Sequence, residues 1–206
     1  MHLIIISPAD DFPHEPALVC RMLQRSSATL HLRKPGQTDG QLADYLQQIP
    51  AAHHRRIMVH GHRRLLVQFD LKGIHFTEKE RRCHPERLRE LREERPRCRL
   101  SAAFHRIEDI PEPDGRLDYI LLSPIFDSIS KPGYTAAFDR AALKKVLVHT
   151  GHRVVALGGI DTQRVAVAAA LGFKGVAVLG AVWNACSPVN AVLQLSAACR
   201  EDLGKN

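Results

Sequence analysis

The sequence predicts a single-domain α/β fold, a TIM-type (β/α)8 barrel, on three observations. Eight short apolar runs alternate with helical patterns over 206 residues, the order expected of a parallel sheet with right-handed crossovers. Aromatic residues make up only 5% of a composition that is 45% hydrophobic, so the core must consist of Val, Ile, Leu and Ala. Such cores are typical of sheets covered on both faces. No linker or repeat divides the chain, whose length suits one barrel.

The strand predictions rest on short runs of branched apolar residues bounded by polar or turn residues. In chain order they cover residues 2–6, 29–33, 56–60, 73–76, 99–103, 117–122, 153–157 and 175–179. An open doubly wound sheet is the competing arrangement. Such a sheet needs a glycine-rich nucleotide turn after its first strand, whereas this chain has Ser7-Pro8-Ala9 there.

The helix predictions rest on apolar residues spaced three and four apart. The second helix, for example, has Leu42, Tyr45 and Leu46 on one face, and Asp161 is the predicted N-cap of a later helix. The predicted helical segments are residues 15–24, 38–48, 63–68, 85–94, 107–110, 139–149, 161–171 and 189–199.

The charge balance leaves two classes of partner open, since a formal charge of +7 suits either nucleic acid or phosphorylated small molecules. The most basic stretch, residues 79–99, interleaves glutamates with its arginines. We predict a solvated outer helix there, with an Arg89–Glu93 pair outside and Leu88 and Leu91 facing the core. A nucleic-acid partner is therefore not expected.

Cysteine usage and the first residues favour a cytoplasmic protein. The five cysteines are odd in number and form no CxxC pair, which predicts reduced thiols. The apolar run in the opening segment MHLIIISPADD is too short for a signal peptide. No run approaches the ~18 apolar residues of a membrane span, so no membrane partner is predicted.

In barrel proteins of this type the functional site lies at the C-terminal ends of the strands. Loops after strands seven and eight commonly bind phosphate through backbone amides at helix starts. Here Gly158 and Gly159 follow strand seven, and Gly180 and Ala181 follow strand eight. The sequence therefore predicts a phosphate site formed by these two loops.

The loop after strand six, SPIFDSISKPG, contains hydroxyls at Ser128 and Ser130 followed by Lys131. Donors at alternate positions and one ammonium could surround an anionic ligand. The competing interpretation is a surface loop that ends at Pro132-Gly133.

Histidines at neighbouring strand ends provide a rival hypothesis. His31, His60, His62 and His75 could bind zinc as in metal-dependent hydrolases, with His60-x-His62 as the nucleus. Against this, no aspartate follows a late strand in the supporting position, and His75 can equally point into the barrel as part of the core.

The segments LDYILLSPIFDSISKPG, VVALGGID and GFKGVAVLGAV resemble the second half of the thiamine phosphate synthase/TenI family. The family's stretches read like DYIGxGPVFPTxTK, VVAIGGI and GADGVAVVSAI. In the first half, TLHLRK resembles TLVQLREK and KGIHFTEKE resembles GVHLGQxD. The resemblance covers nearly the whole chain and is strongest after Leu117.

The resemblance implies a (β/α)8 barrel that handles the thiazole phosphate precursor of thiamin. Two activities are known in this family. A synthase joins pyrimidine diphosphate to thiazole phosphate with release of pyrophosphate, using Mg²⁺ and basic groups, whereas a TenI-like tautomerase shifts a proton on the thiazole. No cofactor is expected apart from Mg²⁺ in the synthase case, and the resemblance is compatible with a homodimer.

Several matches support a thiazole phosphate pocket. Arg33 matches the family arginine of strand two, and Lys131 the lysine after strand six. Ser128 and Ser130 replace threonines and keep their hydroxyls. The remaining matches lie in the phosphate loops, where Gly158 corresponds to a family glycine and Gly180 stands where the family often has serine.

The departures fall in the metal and diphosphate pocket. The family's asparagine–aspartate pair after strand three falls at His60-Gly61, and the second metal aspartate aligns with Glu80, or alternatively Glu78. The family lysine after strand two falls at Pro35, although Lys34 is adjacent. The diphosphate-binding serine falls at Ala103. Because Mg²⁺ needs hard oxygen ligands, these departures favour a tautomerase over a synthase, with a non-catalytic regulator that binds the phosphate ligand as a further alternative.

His105 aligns with the family histidine after strand five. A tautomerase needs one group that removes a proton and returns it nearby, and imidazole suits this role near neutral pH. We therefore predict His105 as the acid/base, the alternative being a histidine that only binds a loop carbonyl. Synthases often have this histidine too, so it does not separate the two activities.

Overall fold

The computed structural model describes residues 1–112, 115–127 and 138–201. Its eight strands run parallel and close into a barrel in chain order, with the last strand paired to the first. This confirms the predicted TIM-type (β/α)8 fold and excludes the open sheet. The strands are β1 His2–Ile6, β2 Thr29–Leu32, β3 Ile57–His60, β4 Gly73–Phe76, β5 Arg99–Phe104, β6 Tyr119–Leu122, β7 Val154–Leu157 and β8 Gly175–Val178.

Helices surround the barrel on its outer side. They are α1 Glu15–Arg25, α2 Asp39–Gln47, α3 Leu65–Gln68, α4 Glu78–Cys83, α5 Glu86–Glu94, α6 Arg140–His149, α7 Thr162–Leu171, α8 Gly180–Trp183 and α9 Pro188–Glu201. Two 3-10 helices cover Ala51–Arg56 and Ile107–Asp109. The sequence patterns did not predict α4, α8 or the first of these 3-10 helices.

Side-chain caps explain where several helices begin. Thr38 and Gln41 form a capping box at the start of α2, and Thr77 and Glu80 form a second one at the start of α4. Asp161 caps α7 as predicted, by accepting a hydrogen bond from the Arg164 amide at 2.9 Å. No residue of α4 is buried, so its sequence has no apolar periodicity and only the capping box indicates the helix.

The barrel wall separates two apolar regions. The larger one lies between the strands and the helices, and Leu88 and Leu91 of α5 contribute to it as predicted. The predicted Arg89–Glu93 pair is present at 4.0 Å, with both side chains mostly exposed. The smaller region lies inside the barrel and consists of Ile4, Ile6, Leu121, Val155 and Ala177.

None of the five cysteines is joined to another in a disulfide bond. Among the described residues, no helix combines the length and the apolar character that crossing a membrane would require.

Candidate functional site at the C-terminal mouth of the barrel

His105 follows β5 and is held by the residue that follows β6. Its Nδ1 lies 3.1 Å from the carbonyl oxygen of Ser123 and 3.2 Å from the Ser123 hydroxyl. A carbonyl oxygen only accepts hydrogen bonds, so Nδ1 carries the proton of the neutral ring and Nε2 keeps a free lone pair. The side chain is 52% exposed. One nitrogen thus positions the ring, and the other is available for proton transfer.

Glu78 faces the free nitrogen of His105. Its Oε2 lies 3.8 Å from His105 Nε2, and its Oε1 lies 2.7 Å from the Arg82 guanidinium. Arg82 also bonds Asp109 at 2.5 Å. The first turn of α4 therefore places a fixed carboxylate beside the imidazole, where it would stabilise a protonated ring.

Gly158 and Gly159 connect β7 to α7 with positive φ angles of 99° and 63°. A Cβ on Gly158 would lie 2.9 Å from Pro124 Cα, and one on Gly159 would lie 2.3 Å from the Asp127 carbonyl oxygen. The two glycines are therefore needed because the loop after β6 lies directly on the loop after β7. Their predicted phosphate binding stays a prediction.

Gly180 and Ala181 begin α8, a single turn after β8. Amides in a first helical turn have no acceptor within the helix, so these two could serve a phosphate. The Trp183 indole anchors the turn by donating to the Ile6 carbonyl at 2.7 Å, and Phe12 packs edge-to-face against the same ring. The predicted contact with phosphate remains to be tested.

Lys34 is buried beneath the mouth rather than presented at the surface. Its ammonium donates to Glu15 Oε2 at 2.6 Å and to the Asp10 carbonyl at 2.8 Å, while the Tyr45 hydroxyl donates to the other Glu15 oxygen at 2.9 Å. Burial raises the pKa of Glu15 despite the adjacent lysine. The sequence predicted Lys34 as a ligand contact, but this geometry gives its charge a partner within the protein.

Arg33, next to Lys34, has an exposed side chain. Its backbone amide donates to the Ser7 hydroxyl at 2.7 Å, and that hydroxyl donates to the Arg33 carbonyl. After burial, the positive charge of Arg33 is the main factor that lowers the pKa of His75 to about 3. The guanidinium therefore acts on the histidines within the barrel, and it remains the predicted anion contact.

The positions aligned with the family's metal aspartates lie side by side. A Cβ on Gly61 would be 3.5 Å from Glu80 Oε1. However, Gly61 offers no ligand, and Glu80 Oε2 is committed to the Thr77 amide and hydroxyl at 2.9 and 2.7 Å. These two positions do not fit Mg²⁺, which requires several hard oxygen ligands.

Three of the strand-end histidines converge inside the barrel, whereas His62 does not join them. His31, His60 and His75 lie with their potential ligand atoms within 4.8 Å of one another. His62 instead bonds Asp39 at 2.5 Å. The described residues therefore do not form the predicted His60-x-His62 nucleus, and His75 does face the core.

The sequence patterns missed several partners of these groups: Ser101, Tyr119, Ser123 and the pairing of Glu78 with His105. Alternation along a strand was the signal that could have found two of them, because residues two apart share a face. Ser101 and Tyr119 lie on the inward faces of β5 and β6, opposite the buried histidines. The predicted ligand residues Ser128, Ser130 and Lys131 lie outside the described residues.

Together the fold and the site define a parallel α/β barrel with its polar groups gathered at the C-terminal mouth. The chain belongs to the thiamine monophosphate synthase family, whose model matches residues 3–182. The thiamine-phosphate synthase of Photorhabdus laumondii is 25% identical over 185 residues, which are 87% of this chain and 83% of that protein.

Solved structures agree on the fold. A thiamine phosphate pyrophosphorylase from Bacteroides thetaiotaomicron superposes with a TM-score of 0.76 at 24% identity, covering 97% of this chain and 98% of the other. The corresponding protein from Pyrococcus furiosus gives a TM-score of 0.80 at 18% identity, covering 98% and 97%.

Proposed function

We propose that the chain is a cytoplasmic enzyme that binds a thiazole phosphate at the C-terminal mouth and shifts a proton on the thiazole, with His105 as the acid/base. The observation that carries this proposal is the half-exposed His105, whose Nε2 is free of the Ser123 contact and lies 3.8 Å from Glu78. The Gly61 and Glu80 positions, in contrast, lack the oxygen set that Mg²⁺ needs.

In the proposed reaction, Nε2 of His105 removes a proton from one carbon of the thiazole tautomer and returns a proton to another carbon of the same conjugated system. The electron pair released at the first carbon moves through the ring, so no redox partner is needed. Glu78 stabilises the imidazolium between the two transfers. Proton transfer of this kind typically contributes ~10²–10⁴-fold to the rate.

The ligand contacts follow from the mouth geometry and the resemblance. Arg33 and the amides of Gly158, Gly159, Gly180 and Ala181 would contact the phosphate end of the ligand. Ser128, Ser130 and Lys131 enter the proposal through the resemblance alone. Lys34 does not, because Glu15 already pairs with its ammonium.

A synthase is the second candidate, and the relatives favour it, since the curated relatives are named thiamine-phosphate synthase. It would require Mg²⁺ and pyrimidine diphosphate, and Glu80 could offer the metal only Oε1, since Oε2 accepts from Thr77. The third candidate is a regulator that binds the same phosphate ligand without turnover.

The proposed chemistry can be tested with His105→Asn. We expect calorimetry to show unchanged affinity for the thiazole phosphate, and proton–deuterium exchange followed by NMR to slow by ~10²-fold or more. His62→Asn, a strand-end histidine bonded to Asp39, is the matched control and should exchange at the wild-type rate. Proton–deuterium exchange at the wild-type rate in His105→Asn would show that the histidine is not the acid/base.

A further inference from the structure

The inner face of β2, β3 and β4 carries one histidine per strand, and none of the three has a role in the proposed function. His31 is fully buried and His75 nearly so, while His60, at the C-terminal end of β3, is partly exposed. His60 and His75 are register partners on adjacent strands. The cluster therefore extends from the barrel interior towards the mouth.

His31 and His60 approach each other through one nitrogen of each ring, and His75 packs against the ring of His60. His31 Nδ1 lies 3.0 Å from His60 Nε2. The ring centroids of His60 and His75 are 4.3 Å apart. Two nitrogens on one tetrahedral zinc ion, each at 2.0–2.1 Å from it, are separated by about 3.3 Å. A separation of 3.0 Å thus suits either a shared proton or a shared metal ion.

Two of the rings are oriented by partners on their other nitrogens. Ser101 Oγ lies 2.8 Å from His75 Nδ1, which leaves His75 Nε2 as the free nitrogen. The Tyr119 hydroxyl lies 2.6 Å from His31 Nε2, which directs Nδ1 towards His60. Histidine ligands of metals are usually held in this way, by a hydrogen bond from the nitrogen that does not bind the metal.

Imidazole binds metals in its neutral form. Burial lowers the pKa of all three histidines, and the neighbouring positive groups lower it further. Arg33 and Lys72 both oppose a cation here, and Arg33 would also attract an anion or hydroxide bound to that cation.

We infer that His31, His60 and His75 bind one divalent transition-metal ion, Zn²⁺ being the best match, with a fourth position left for water or an anion. Three imidazoles are a soft to intermediate donor set, which suits Zn²⁺, Co²⁺ or Ni²⁺ and not Mg²⁺. The site adjoins Gly61 through His60, but it uses different ligand types from the family's Mg²⁺ pair and does not depend on the proposed proton shift.

The test uses the whole chain, freed of metal with a chelator and titrated with Co²⁺ and Zn²⁺. We expect one equivalent of Co²⁺ to give visible absorption bands of tetrahedral type, and Zn²⁺ to displace it. His60→Gln should weaken binding by roughly 100-fold or more, and Ser101→Ala, which removes only the partner of His75, by ~10-fold.

His62→Asn is the matched control, because His62 lies two residues from His60 but bonds Asp39. Its Co²⁺ affinity should equal that of the wild type. His31→Gln introduces the residue that the family segment has at this place, so it should fold and still lose binding. No Co²⁺ bands in the wild type, or equal binding in His60→Gln, would leave the cluster as a hydrogen-bonded network of neutral histidines and overturn the inference.

Discussion

The two halves of the barrel differ in how closely they follow the family pattern. Around β5 to β8, His105 is held by Ser123, and Gly158 and Gly159 are required by the loop above them. Around β1 to β4, family positions for charged ligands hold His60 and Gly61, and the nearby Lys34 is paired with Glu15.

The difference separates the two pockets that the resemblance implies. The second half keeps the features that the resemblance links to thiazole phosphate, and the first half has lost those linked to Mg²⁺ and diphosphate. In place of the latter it contains a buried ion pair and a histidine cluster. Under the proposed function, the thiazole phosphate pocket is kept while the residues of the neighbouring pocket depart from the family pattern.

The largest expected effect concerns Lys34. Lys34→Met would leave Glu15 buried without its cation, and we expect the free energy of unfolding to fall by about 3 kcal/mol. Urea unfolding measures this, with the exposed Lys79→Met as the control. A stable Lys34→Met protein that had lost only ligand affinity would return Lys34 to the binding site.

Lys131 should behave in the opposite way. Lys131→Ala removes the predicted ammonium contact to the phosphate, and a charged hydrogen bond contributes ~1.5–3 kcal/mol, so affinity in calorimetry should fall by roughly 10- to 100-fold. The unfolding midpoint should not change. Lys144→Ala, an exposed lysine of α6, is the control, and equal affinities in all three proteins would remove Lys131 from the site.

The buried histidines predict a pH dependence. The pKa of His75 is lowered from 6.5 to about 3 in the folded protein, so between these values the unfolded chain binds a proton that the folded chain excludes. The free energy of unfolding is therefore unaffected by His75 above pH 6.5 and falls as the pH drops below that value. His75 accounts for up to about 1.4 kcal/mol of this fall per pH unit.

Between pH 6 and about 4, His75→Gln should reduce the slope of the unfolding free energy against pH by up to about 1.4 kcal/mol per pH unit, which corresponds to one proton. The exposed His149→Gln serves as the control. An unchanged slope in His75→Gln would mean that His75 is protonated in the folded protein.

The smallest expected effect is at Gly61. Gly61→Asp restores a carboxylate beside Glu80, at a stability cost of about 1 kcal/mol because φ is +69°. We expect calorimetry to detect Mg²⁺ binding in this variant and none in the wild type. Gly36→Asp, in open space, is the control. An absence of Mg²⁺ binding in both variants would show that a carboxylate at position 61 is not sufficient for a Mg²⁺ site.

The sequence predicted the barrel and most strand bounds within two residues, because strands buried on both faces have a strong apolar signal. It missed α4, which buries no residue, and the one-turn α8. It placed His105 and the glycine loops after the strands where the structure has them, because these positions follow from strand order; their roles stay predictions. It could not predict the Lys34–Glu15 pair, because residues 19 positions apart meet only once α1 packs beside β2.

The proposed function is tested most directly by incubating the purified protein with thiazole phosphate and pyrimidine diphosphate, and separately with the thiazole tautomer, each with and without Mg²⁺. We predict conversion of the tautomer at the same rate in both conditions, and no thiamine phosphate. Thiamine phosphate formed only with Mg²⁺ would contradict the proposal and identify a synthase. Binding of thiazole phosphate without any turnover would also contradict it and leave a regulator.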